Sequence, residues 1–401
     1  MKKILDDYVK TYTSLNKECK NFLLLYFLRS YSAGIVFYIA IYFSTLNLDA
    51  NIIGYEISSL VLGNLLGSLF ASQILTNNNV LKLAGFSLVI QGLCFLIISF
   101  NASVYLLGAS VFFIGFSGYF YQVSNNFLIT SLSGTDKNSR SKAITLMSVF
   151  SNLGLSLGGV SVSLISENHA QLLFLSTGIL LIAISVPYFK NNTEVGGIID
   201  NNINNDEPPN LTFFSLSLLS IMVAGMIFAQ QRVGFGIFLN ENFSGSGMST
   251  IIVINSAIII FILPILRPFL IKVSSVITMG FGVLLLGGGM FLLQYVTSFY
   301  LVALLCMIWT FGEMISNTLS QLICFQCSKK EKRGKAIGIY KFLYSVGTFV
   351  GALLAASILK YYSLDSLWYL CGLLGTLMFI ISIFVYNFKN QFNPLLYKRI
   401  P

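Results

Sequence analysis

A chain of 401 residues that is 55% hydrophobic and only 10% charged has too little polar surface to stay wetted in water; soluble globular proteins carry about 25% charged residues. The formal charge of +9 would suit a nucleic-acid binder if it were spread over one surface, but it is not. Length therefore bounds a number of membrane spans instead of a number of soluble domains.

Taken in chain order, the sequence opens with a basic segment, 1–21, followed by a long apolar run and not by a short apolar stretch with a small-residue cleavage site. A secretory signal is not expected there. Apolar runs follow near 22–46, 52–74, 82–100, 104–130, 143–166 and 170–189. A polar break at 190–211, KNNTEVGGIIDNNINNDEPPNL, is rich in Asn, Asp, Gly and Pro and reads as a linker. Six more runs lie near 213–239, 249–271, 275–296, 299–326, 336–361 and 367–388, and a tail covers 389–401. Each is near the roughly 20 residues needed to cross a hydrocarbon core about 30 Å thick. The runs are continuous and not alternating, so helices are expected and not a β-barrel. The predicted fold class is an all-α integral membrane protein of twelve transmembrane helices in two six-helix bundles, 22–189 and 212–388.

Charge placement orients this topology. With the N-terminus inside, all but four of the 24 Lys and Arg fall on the cytoplasmic side. The exceptions are Lys360 outside and Arg29, Arg232 and Lys341 within spans. This is the positive-inside pattern; both termini are expected in the cytoplasm, and no nucleic-acid partner is expected. None of the six cysteines lies in a predicted outer loop, so no disulfide framework is implied. Cys324 and Cys327 form a lone CxxC pair, and the single histidine, His169, lies in an outer loop, so no metal site is expected.

The halves repeat. Arg140-Ser141-Lys142-Ala143-Ile144 reappears 193 residues later as Arg333-Gly334-Lys335-Ala336-Ile337, and at the same offset Gly154 pairs with Gly347 and Gly158 with Gly351. In both halves a basic loop leads into a span carrying glycines four apart, a spacing that lets another helix approach closely. Tight packing is expected at these spans, with the contact between halves one place for it. Arg140, Lys142, Arg333 and Lys335 are candidates for cytoplasmic gating contacts as well as topology determinants. A neighbouring offset of 192 pairs Ser124-Asn125 with Ser316-Asn317.

Six spans, a cytoplasmic linker, six spans and repeated halves resemble the major facilitator superfamily, and the stretch Lys329-Lys330-Glu331-Lys332-Arg333-Gly334-Lys335-Ala336-Ile337-Gly338 looks like that family's loop between spans ten and eleven. The resemblance implies alternating access around a midplane site, a cavity lined by spans one, four, seven and ten, a monomer in a bacterial cytoplasmic membrane, and no cofactor beyond a proton gradient. The chain departs from the family in two places. The loop after the second span, Gly67-Ser68-Leu69-Phe70-Ala71-Ser72-Gln73-Ile74-Leu75, lacks the usual acidic and arginine positions, and Gly158-Gly159 stands in the fifth span without the proline of many drug–proton exchangers.

Ionisable and amide residues within spans then become the candidate site. Glu313 lies about 13 residues into the tenth span, roughly 20 Å from its outer end at 1.5 Å per residue. With Ser316, Asn317, Ser320 and Gln321 it follows a spacing that shares one helix face. In the fourth span Gln122, Asn125, Asn126 and Thr130 do the same. The resemblance places both stripes, with Arg29 in span one and Arg232 in span seven, on cavity-lining helices. Glu313 is the candidate proton carrier, since a carboxyl held away from water favours its neutral form. Arg29 and Arg232 are candidates for selecting an anionic group, with Gln122, Asn125, Asn126, Ser316, Asn317 and Gln321 holding the rest of a small-molecule substrate. Each has a structural alternative: ion pairing for Glu313, snorkelling for Arg29, a gating pair for Arg232, and helix–helix bonding for the amides.

The expected function is proton-driven efflux of an amphipathic drug, peptide-like antibiotic or siderophore, an antiporter activity that would serve resistance or self-immunity. Proton-coupled uptake uses the same helices and stands as the alternative. A sensor or scaffold would be expected to carry an appended soluble domain and no coupled ionisable residue. No GxxxxGK[ST] phosphate loop is present, and no nucleophile–base pair suggests an enzyme.

Overall fold

The computed structural model describes residues 12–36, 39, 42–43, 46, 50–76, 78–100, 103–133, 137–164, 170–191, 211–232, 234–243, 247–272, 275–328 and 332–392. Among them there is no strand. The helices are α1 (Lys17–Val36), α2 (Ala50–Ile74), α3 (Val80–Ser99), α4 (Val104–Leu132), α5 (Lys137–Leu164) and α6 (Ala170–Lys190). They continue as α7 (Leu211–Arg232), α8 (Gly234–Asn242), α9 (Gly247–Lys272), α10 (Ser275–Phe291), α11 (Phe299–Gln326), α12 (Arg333–Tyr361) and α13 (Leu364–Phe392). A 3-10 turn, Leu292–Tyr295, extends α10.

Among the described residues nine of these helices are long and apolar enough to cross a membrane, and two shorter apolar stretches lie at 59–74 and 250–266. The expected run 213–239 is divided between α7 and the nine-residue α8. Large apolar side chains cover the outer surface: Phe86 is 56% exposed, Leu106 52% and Phe384 67%. In water such a surface would aggregate, whereas in hydrocarbon it is the solvated face.

Local chemistry fixes several helix ends. The Cys19 backbone N–H donates to Asn16 Oδ1 at 2.7 Å, capping α1, while Asn16 Nδ2 donates to Leu132 O at 2.9 Å and ties that cap to the end of α4. Between α2 and α3, Asn79 Oδ1 accepts the Thr76 N–H at 2.8 Å and its Nδ2 donates to Ile74 O at 2.9 Å, which closes the short turn.

The chain divides into two compact units. One holds residues 9–206 with 331–342, so α1–α6 and the first turns of α12. The other holds 207–330 with 343–401, so α7–α11, the rest of α12 and α13, together with residues 1–8.

Within the first unit α1 packs on α5. A Cβ at Gly154 would overlap Phe27 O, and one at Gly158 would overlap Tyr31 O and meet Gly34 Cα at 3.0 Å. Within the second unit α7 packs on α12 the same way: a Cβ at Gly347 would overlap Met222 O and one at Gly351 would overlap Met226 O. The repeated glycines therefore serve packing inside each unit, against α1 and α7. Backbone-to-backbone approach of this kind is the main attractive term between helices in lipid, where burying apolar surface contributes little.

The first turns of α12 belong to the first unit by the same device. Gly338 lies against the Ser72 backbone of α2, and Gly334 lies beside Leu75 and Phe127. Ser72 is buried.

Candidate functional site

Each unit holds its own polar cluster in an apolar interior. In the second unit the cluster is built by α9 and α11. Glu313 is half-buried, one turn along α11 from Thr310. Asn255 of α9 faces both: its Nδ2 donates to Thr310 Oγ1 at 2.8 Å and to Glu313 Oε2 at 3.3 Å. Thr310 donates onward to Cys306 O at 2.6 Å. Among the described residues no cation pairs with Glu313. The carboxyl thus has amide and hydroxyl neighbours, which leaves it free to exist as acid or anion without breaking an ion pair.

The rest of the α11 stripe divides by chemistry. Ser316 and Ser320 turn their hydroxyls back onto the carbonyls of Glu313, at 3.3 Å, and of Ser316, at 2.5 Å. Back-bonding of this kind occupies the only hydroxyl proton. Asn317 is half-buried, and Gln321 is buried with its Nε2 unpartnered among the described residues. Arg232 is the last residue of α7, and its side chain lies outside the described residues.

In the first unit the cluster is built by α1, α3, α4 and α6. Arg29 is only 7% exposed. Its guanidinium lies over the Tyr121 ring, 5.7 Å from the centroid, and it makes no hydrogen bond or ion pair among the described residues. Tyr121 shares a hydroxyl–hydroxyl hydrogen bond with Tyr188 at 2.7 Å, and the Tyr188 hydroxyl donates to Asn125 Oδ1 at 2.9 Å. The single proton of Tyr188 goes to Asn125, so Tyr121 is the donor in the first link. Gln91 of α3, 1% exposed, donates through Nε2 to Ile114 O at 3.3 Å while its Oε1 has no partner. Gly118 faces both groups: a Cβ there would stand 2.7 Å from Arg29 Nη2 and 2.8 Å from Gln91 Nε2.

The α4 stripe also divides. Asn125 joins the cluster and Asn126 is fully buried with an unpartnered Oδ1. Thr130 bonds its own helix at Asn126 O, 2.6 Å away, and Gln122 is half-buried. Arg140 and Lys142 lie in the first turns of α5, and Arg333 and Lys335 in the first turn of α12, so these cations sit at the positive end of a helix dipole.

Sequence reading singled out Arg29, Asn125 and Glu313 but passed over Asn255, Gln91, Gly118 and Tyr188. The signal for two of them was present: Asn255 and Gln91 are amides interrupting apolar runs, which is itself costly in lipid. Gly118 and Tyr188 carried no such mark, because glycine and tyrosine are common in membrane helices for other reasons. Among the described residues no group of three His, Cys, Asp or Glu could hold a metal ion. Cys324 and Cys327 form no disulfide.

Apolar-surfaced helices in two glycine-packed units, each with a buried polar cluster, define a helical membrane protein. The model of the Major Facilitator Superfamily matches residues 22–324 and 210–394, and the chain belongs to that superfamily. Among solved structures, the human organic anion transporter MFSD10 (TETRAN) shares the fold with a TM-score of 0.70, 13% identity, and coverage of 91% of this chain and 98% of that one. Among proteins of curated function, none matches the chain in sequence.

Proposed function

We propose that this transporter works by alternating access and couples proton entry to efflux of an amphipathic small molecule, with Glu313 as the proton carrier. The observation that carries the reading is the Glu313 environment. The carboxyl is half-buried in α11, it accepts from the Asn255 amide, and no cation pairs with it among the described residues. A carboxyl locked to an arginine would stay ionised throughout a cycle. One held only by an amide can change protonation state, which is the requirement for a proton carrier.

The cargo class is a drug, peptide-like antibiotic or siderophore, and the physiological role is resistance or self-immunity. We read the protein as a monomer in a bacterial cytoplasmic membrane, as the family resemblance implies, with both termini inside, which the distribution of Lys and Arg supports. Everted vesicles energised by respiration test the reading. Glu313→Gln is expected to abolish gradient-driven accumulation of cargo, and an uncoupler to abolish it in the native protein. Accumulation that survives Glu313→Gln removes the carrier role. Cargo that moves in the same direction as the proton assigns uptake instead.

A further inference from the structure

The first unit contains a buried cation that the proton-carrier reading leaves without a task. Arg29 is 7% exposed, has no ion pair or hydrogen bond among the described residues, and lies about 18 Å along α1 from its start at 1.5 Å per residue. No acidic residue occurs anywhere in α3, α4, α5 or α6. Its guanidinium lies over the face of Tyr121, with Tyr26 and Tyr119 also close enough to act on its charge. A cation–π contact is weaker than the cost of stripping water from a guanidinium. Among the described residues its Nε has no hydrogen-bond partner and the guanidinium has no counter-charge.

A second donor lies beside it, on a Gln91 amide whose Oε1 has no partner among the described residues. Gln91 Nε2 uses one proton on Ile114 O and keeps its second. It converges with Arg29 Nη2 on the spot where Gly118 lacks a side chain. Two turns along the same face of α4, Asn125 Nδ2 is buried without a partner. Its orientation is fixed, because Tyr188 donates to the Oδ1 of that amide. The tyrosine pair thus turns Asn125 so that its donor, not its acceptor, is left over.

We infer that Arg29 and Gln91, brought together beside Gly118, form an anion-recognition site in the first unit, and that the substrate bears a carboxylate-like anionic group. The inference rests on the proposed transport function only in calling the anion a substrate. Arg29 supplies the charge, Gln91 supplies a directed donor, and Gly118 leaves room for the two side chains to meet. An uncharged isostere would leave the guanidinium uncompensated, so discrimination against it is strong. An anionic lipid headgroup offers the same chemistry, and the experiment below separates the two sources.

The test is thermal unfolding of the full chain in nanodiscs, first of phosphatidylcholine alone, with benzoate, benzamide or neither. A buried charge with no counter-charge costs stability. Arg29→Met is therefore expected to unfold at a higher temperature than the native chain without ligand. Benzoate is expected to raise the native unfolding temperature by about 2 °C or more, with no rise from benzamide and none from benzoate in Arg29→Met. Gly118→Leu is expected to lose the benzoate response while remaining folded.

A lower unfolding temperature for Arg29→Met without ligand makes Arg29 a structural partner of Tyr121 and overturns the proposal. So does a benzoate response equal in both proteins or absent from both. A rise produced by phosphatidylglycerol in the disc but not by benzoate assigns the site to lipid and overturns the substrate claim. No gradient is used, so an intact benzoate response beside gradient-independent transport would leave this site standing while the proton-driven efflux reading fell.

Discussion

Asn255 reaches Glu313 across the α9–α11 contact, its Nδ2 standing 3.3 Å from Oε2 and 2.8 Å from Thr310 Oγ1. The amide therefore holds the acid in one place from a neighbouring helix. Replacing Asn255 by Leu removes the bond at similar volume. Hydrogen bonds to charged groups contribute about 1.5–3 kcal/mol, so turnover in everted vesicles is expected to fall roughly 10-fold or more. Asn255→Gln, which keeps the donor on a longer stem, is expected to recover part of it. Unchanged turnover in Asn255→Leu would mean that the bond plays no part in the cycle.

Two adjacent glycines in α5 make opposite forecasts. A Cβ at Gly158 meets the α1 backbone, whereas one at Gly159 meets nothing within 4 Å. Gly158→Ala is expected to lower stability in detergent by about 1–3 kcal/mol, the usual cost of overpacking. Gly159→Ala is expected to be neutral or stabilising by up to about 1 kcal/mol, through helix propensity. Denaturation followed by circular dichroism compares the two directly. In α12, Gly347→Ala should behave as Gly158→Ala does.

The Tyr121–Tyr188–Asn125 chain is a linear relay of donors, so removing its middle member strands both ends. Tyr188→Phe leaves the Tyr121 proton and Asn125 Oδ1 unpartnered in an apolar interior, at a cost of about 1–3 kcal/mol for each stranded group. A double-mutant cycle of Tyr188→Phe with Asn125→Leu is expected to give a coupling of about 1 kcal/mol. Additive effects would show that the two side chains do not bond.

At the start of α12, Gly338 lies against the buried Ser72. A cysteine at position 72, close to serine in size, is expected to resist maleimide. Adding Gly338→Leu forces the helix start away, and labelling is expected to rise several-fold. Equal labelling in both backgrounds counts against the seating of residues 333–342 in the first unit.

The helices were legible because lipid permits few solutions. Continuous apolar runs such as 82–100 and 299–326 must hydrogen-bond within themselves, and α3 and α11 follow those runs closely. The glycine repeat was legible as a packing signal, but not its partner. Four-residue spacing marks a face, and only the fold shows that Gly154 and Gly158 face α1 while Gly347 and Gly351 face α7. The polar stripes were legible as stripes. Spacing did not separate Ser316 and Ser320, whose hydroxyls turn back onto α11, from Asn125, whose amide meets Tyr188 of α6. Serine satisfies itself on its own helix, and an asparagine side chain in lipid finds a neighbour.

Composition and span pattern by themselves determined a membrane-embedded helical protein with repeated halves and marked Glu313 and Arg29 as its costliest residues, because both are consequences of the solvent and need no knowledge of neighbours. Tertiary structure alone decided their company. Glu313 received an amide from α9, while Arg29 received an aromatic face and no counter-charge among the described residues. A residue's charge is a local property written in the chain, whereas its compensation depends on helices tens of residues away.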